Sequence, residues 1–74
     1  MDLGEKTKAL ESIDYAIKVN LNNAEFLALR GKILYHMGEL DQARSSIQKA
    51  LSIDPQEPLA TEIQKKLESE AVKP

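Results

Sequence analysis

The chain has 74 residues, no cysteine, and ten basic against twelve acidic residues, for a formal charge of −2. That length supports one domain at most and is too short for a deep pocket walled on every side. The lack of cysteine excludes a disulfide framework and a thiolate metal site, and so small a net charge gives no sign of the clustered basic face that nucleic acid requires. Ala, Leu, Glu and Lys dominate, all good helix formers, while Val occurs only at Val19 and Val72. The chain is therefore expected to be all-α.

The first predicted helix runs from about Glu5 to Val19. Ala9, Ile13, Ala16 and Ile17 recur at helical spacing, with Leu10 beside them. The Asn20–Asn23 stretch interrupts it. Asn22 and Asn23 suit a helix start, because an Asn side chain accepts from the free N–H groups of the first turn. The second helix, from about Ala24 to Met37, carries Phe26, Leu27, Ala28, Leu29, Ile33, Leu34 and Tyr35. It is apolar round most of its circumference and is predicted to pack on several sides. Gly38 is placed to end it in a left-handed conformation. The third helix, Leu40 to Ile53, presents Leu40, Ala43, Ile47, Ala50 and Leu51. Pro55 then disfavours helical geometry at Asp54. The fourth, from about Glu57 to Val72, carries Leu59, Ile63 and Leu67, with Glu62, Gln64, Lys65, Lys66, Glu68 and Glu70 on its other faces. Loops of a few residues make these helices antiparallel neighbours.

Sliding the chain against itself by 34 residues brings like onto like. Gly4 falls on Gly38, Glu5 on Glu39, Ala9 on Ala43, Ser12 on Ser46, Ile13 on Ile47 and Ala16 on Ala50. Ile17 falls on Leu51, Val19 on Ile53 and Asn20 on Asp54. The small residues are among the identities, as expected where helices approach closely.

Residues 24–57 resemble one tetratricopeptide repeat, a helix–turn–helix unit with spaced small and large apolar positions and a closing proline. Here the pattern reads Leu27, Gly31, Leu34, Ala43, Ile47, Ala50 and Pro55, with Gly38-Glu39 in the turn. Residues 4–23 resemble the second helix of a preceding repeat, and residues 58–71 stand where a following repeat would begin. The resemblance implies an antiparallel helix-hairpin stack, a fragment of an α-solenoid. The pattern is also broken in places. Arg30 stands at a position that is usually apolar, and Leu21 where a proline would close the earlier repeat. Lys65 replaces the small residue equivalent to Gly31, and Thr61 the large one equivalent to Leu27. A lysine there leaves no room for a close second helix, so the last helix reads as the polar cap of such an array.

No catalytic constellation is found. His36 is a lone histidine, whereas a metal site needs three or four ligands. The carboxylates are many but spread along solvated faces, as in the Glu62–Lys66 pair. Ser45-Ser46 has no nearby base, and no glycine-rich phosphate loop is present. Enzymatic activity, cofactors and metals are not expected. The longest apolar stretch, Phe26 to Leu29, falls far short of the ~20 residues of a membrane span, and nothing resembles a signal peptide. The default expectation is a cytoplasmic protein.

The expected function is protein–protein interaction. In the family resembled, the first helix of each repeat lines a concave groove that takes peptides. On the second helix here, Glu25, Ala28, Leu29, Lys32, Tyr35 and His36 share one stripe by helical spacing. The opposing reading makes Leu29 and Tyr35 core and the others merely solvated. Some family members clamp acidic C-terminal tails with Lys, Asn and Arg on these helices. Lys32 stands here beside Glu25, Ala28 and Leu29, with Leu59 and Ile63 on the next helix, so an apolar or mixed peptide is favoured. Separately, Ala9, Leu10, Ile13 and Ile17 of the first helix offer more apolar surface than one neighbour buries, which marks an interaction site. Three explanations stand: a homodimer formed there, an upstream helix in a longer array, or coverage by Leu3 and the N-terminal residues.

Overall fold

The computed structural model describes residues 3–71, with the side chains of residues 4–70. Four helices follow one another: α1 (Leu3–Val19), α2 (Ala24–His36), α3 (Leu40–Ile53) and α4 (Pro58–Ala71). No strand occurs among the described residues. The expected end of the fourth helix at Val72 and the expected cover by Leu3 lie outside the described side chains.

The boundaries have local causes. Asn23 is extended, and its side-chain oxygen accepts from the Phe26 N–H at 3.1 Å. Glu57 does the same work for α4, its Oε1 accepting from the Ala60 N–H at 2.8 Å. Glu57 is thus the cap and not the first turn, and α4 begins at Pro58, where a missing N–H costs nothing. At the other end of α2, Met37 is the capping residue and Gly38 has φ +81°. The Gly38 N–H donates to the Tyr35 carbonyl at 3.1 Å and the Glu39 N–H to the Leu34 carbonyl at 2.9 Å. These paired bonds form the Schellman ending that glycine permits, so α2 stops at His36. Asp54 is extended before Pro55, as expected, and accepts from the Gln56 N–H at 3.0 Å.

The helices stack in a slab of 40 × 31 × 16 Å. α2 touches α1, α3 and α4, and α3 touches α4. Among the described residues α1 packs on α2 and on no other helix. The core joins Leu27, Ala28 and Leu34 of α2 to Ala43, Ile47 and Ala50 of α3 and to Ala60, Ile63 and Leu67 of α4. Enclosing each of the larger side chains contributes about 1.5–3 kcal/mol. The buried alanines let the helix axes approach. Gly31 serves the same end: a Cβ built on it would collide with Ile47 Cδ1 and Cγ1 and lie 3.3 Å from the Ala43 carbonyl oxygen.

Arg30, where the sequence pattern calls for an apolar residue, ties three helices together. Its Nε donates to Asp14 Oδ1 of α1 at 2.7 Å, and another guanidinium nitrogen donates to Ser46 Oγ of α3 at 2.5 Å. Ser46 is buried, so this bond satisfies a hydroxyl that water does not reach.

Candidate functional site

An open groove of about 540 Å³ runs between α1 and α2 and is lined by residues of those two helices. α1 contributes Glu5, Lys6, Ala9, Ser12 and Ile13. α2 contributes Leu29, Lys32, Ile33 and His36. Its exposed lining is nearly all carbon, with charged groups at the rim. Lys6 reaches across one end, its Nζ 3.5 Å from the His36 carbonyl oxygen. Such a surface suits apolar side chains of a partner, with polar groups at the edge fixing their orientation.

Two residue groups that the sequence kept apart meet here. Leu29, Lys32 and His36 come from the expected stripe on α2, and Ala9 and Ile13 from the expected apolar face of α1. The remaining members of both groups go elsewhere. Ala28 is 0% exposed and belongs to the core, so it offers no surface to a partner. Tyr35, two turns further on, shares that inward side of α2. It is half-buried against the core, its ring edge-on to His36 at a centroid distance of 5.5 Å. Glu25 is exposed at the other end of α2, in a shallow hollow with Asn20, Asn22 and Asp54. Ile63, expected to line the next inner helix, is buried, and Leu59 packs partly against the core.

On α1 the expected patch is likewise divided. Ile13 is buried and floors the groove, while Leu10 and Ile17 pack partly against the core. α2 therefore covers more of this face than the sequence suggested, because Leu10, Ile13 and Ile17 all lie on the side turned to it. Ala9 stays exposed at the groove, and the large apolar side chains most open to solvent are others: Tyr15 at 69% and Val19 at 70% on α1, and Leu21 at 70% just beyond it. Periodicity placed Tyr15 and Val19 off the apolar face and gave no reason to single them out. Ser12 and Ile33 were also missed, although the 34-residue register pairs them with Ser46 and Leu67, which the structure buries.

Among the described residues, no group of three or more His, Cys, Asp or Glu is placed to hold a metal. No described helix is long and apolar enough to cross a membrane.

Comparison with known proteins agrees with this architecture. The tetratricopeptide repeat family matches residues 24–57, from the start of α2 to the cap of α4. A DnaJ homolog subfamily C member 7 homolog of Schizosaccharomyces pombe is 44% identical over 39 residues. That alignment covers 53% of this chain and 8% of the relative's length. No match to a solved structure was found. Repeats of this family are a non-catalytic fold that binds other proteins or peptides. Residues 24–57 thus match the tetratricopeptide repeat family, and the four helices of the chain are consistent with its stack of helix hairpins.

Proposed function

We propose that this chain is an interaction module that holds a segment of a partner protein in the α1–α2 groove. Within it, α1 serves as the second helix of a partial repeat, residues 24–57 form the complete repeat, and α4 is the terminal cap. The observation that carries the reading is the convergence of Ala9 and Ile13 with Leu29, Lys32 and His36 on one apolar groove. The cap assignment is supported by exposed Lys65 and Glu68 on α4, at the positions of buried Gly31 and Leu34 on α2.

The test is chemical-shift mapping of the labelled protein titrated with a panel of amphipathic peptides. Shifts should cluster at Ala9, Ser12, Leu29, Lys32 and Ile33. Leu29→Asp combined with Lys32→Ala should remove them while leaving helical content unchanged. Leu29 serves better than Tyr35 here, because Tyr35 also packs on the core. Shifts confined to other faces would sink the assignment.

A second reading, self-association through α1, is supported by the exposure of Tyr15 and Val19 on that helix. Sedimentation equilibrium over a wide concentration range separates the two: this reading requires a dimer, and groove binding to a partner requires none.

A further inference from the structure

The outer side of α1 faces away from α2 and from the groove. Tyr15 stands two positions from both Ile13 and Ile17, about 200° round the helix from the residues that meet α2. Of the three aromatic residues in the chain, Tyr15, Phe26 and Tyr35, it is the exposed one; the others are half-buried.

This exposure belongs to the position and not to the number of helices beside α1. Lys49 and Ile53 stand 34 residues on from Tyr15 and Val19. Both are exposed, although α3 packs on α2 and on α4. The stack therefore leaves this stripe in water even on a helix with two neighbours, and its stability calls for no aromatic there. On α3 the stripe is a solvated one, with Ser45, Lys49 and Ser52. In the same three places α1 carries Glu11, Tyr15 and Lys18.

The order of those three is self-complementary. Glu11 and Lys18 are seven positions apart and so share one stripe, two turns from each other, with Tyr15 between them. All three are exposed, and among the described residues neither charge has an ion-pair partner. Turning a second α1 end over end beside Tyr15 sets Glu11 opposite Lys18 and Lys18 opposite Glu11. The two tyrosines then meet at the centre, where aromatic side chains suit an interface. Val19 of each copy falls beside the aliphatic stem of Lys8 of the other, which can cover it while its charge stays in water. A parallel pair would instead set Glu11 on Glu11 and Lys18 on Lys18.

Resting on the reading of α1 as a self-association surface, we infer that this outer stripe joins two copies of the chain as an antiparallel, two-fold symmetric pair. Glu11 of each copy bonds Lys18 of the other across the Tyr15 centre. One helix stripe offers much less than the roughly 800 Å² per partner of a standard interface, so a dissociation constant on the order of 100 μM is expected. The groove stays open in this dimer, since none of these side chains lines it.

The test is sedimentation equilibrium of the whole chain at concentrations from about 10 μM to about 1 mM, which bracket that constant. Glu11→Lys alone and Lys18→Glu alone should each weaken the dimer about tenfold, because each sets like charges opposite one another twice. Both changes in one chain should restore it. Mixing the two single variants should restore it too, since every facing pair is again of opposite sign; damage to the fold would give neither recovery. Tyr15→Ser should remove the dimer with helical content retained, and Ser12→Trp, in the groove, should leave it intact. A monomer throughout the range removes both the self-association reading and this inference. A dimer that ignores Tyr15→Ser, or that the charge exchanges do not weaken and then restore, keeps self-association and overturns the antiparallel pairing. A dimer lost in Ser12→Trp and kept in Tyr15→Ser lies in the groove and overturns it as well.

Discussion

Ile13 in α1 and Ile47 in α3 hold the same place in the 34-residue pattern, and so do Leu29 in α2 and Ile63 in α4. Their surroundings differ. Ile47 lies under Gly31 with α2 and α4 both packed on its helix, whereas among the described residues α1 packs on α2 alone. Ile63 is sealed in the core, while Leu29 is 38% exposed. Residue type alone does not decide burial here; the number of neighbours each helix has does. α2 carries two apolar sides, one closed on α3 and α4 and one open beside α1. α4 carries one apolar side and turns Lys65 and Glu68 to solvent. The two sides of the stack thus differ in what they expose: an apolar groove between α1 and α2, and a polar outer face on α4.

The largest expected effect measures that difference directly. Ile47→Ala should cost about 3–5 kcal/mol, because a cavity in a site closed on all sides relaxes little. Ile13→Ala should cost about 2 kcal/mol, since the groove beside it lets the site collapse or fill with water. Urea unfolding followed by circular dichroism gives both numbers. Equal costs would show that α1 is as firmly enclosed as α3.

Gly31 and Lys65 form the next pair. Gly31→Leu should destabilise by about 1–3 kcal/mol or prevent folding, because the added side chain meets Ile47 and backbone of α3. Lys65→Leu should change stability by no more than about 0.5 kcal/mol, as an exposed position allows. A large loss at Lys65 would mean that α4 is covered on its outer side too.

The fold was legible because it is written in local signals. Asn23, Gly38 and Asp54-Pro55 set helix ends through their own backbone and side-chain chemistry, and the spacing of Ala9, Ile13, Ala43 and Ile47 carries the repeat. Even Glu57, read as the first residue of a helix, was misplaced by a single position. The groove was half legible. Leu29, Lys32 and His36 stood on one stripe, and Ala9 and Ile13 on one face, but nothing in either helix alone states that the two faces meet. That depends on the angle at which α1 crosses α2. Ala28 shows the limit of the stripe argument: spacing puts it in line with Leu29 and Lys32, yet it is closed off by helices that arrive later in the chain. Arg30 was noticed as a departure and left without a partner, because Asp14 and Ser46 are each 16 residues away, in opposite directions.

Arg30 offers a smaller and more selective test of how α1 is held. The Arg30–Asp14 pair is partly exposed at both ends, so its own contribution stays below about 1 kcal/mol. The bond to Ser46 matters more, since its loss leaves a buried hydroxyl without this donor. Arg30→Leu should cost about 1 kcal/mol, and Ser46→Ala made together with it should recover much of that loss. A double-mutant cycle by urea unfolding reads the coupling. Coupling near zero would show that the hydroxyl finds another partner on its own helix.

The smallest expected effect concerns α1 alone. Tyr15 and Val19 are four residues apart on one helix and almost free in solvent, so Tyr15→Ser with Val19→Ser removes apolar surface without touching the core. The unfolding free energy of the monomer should move by about 0.5 kcal/mol or less. Binding of a partner peptide in the groove should stay the same, because neither residue lines it. The molecular mass in solution is the sensitive readout. A dimer that disappears in the double variant places self-association on the outer side of α1, beside the groove and compatible with a helix bound in it. A dimer that persists in the double variant but is lost in Ser12→Trp places it in the groove itself, where it competes with any incoming helix. One surface would then have two claimants, and the concentration of the chain would decide between them.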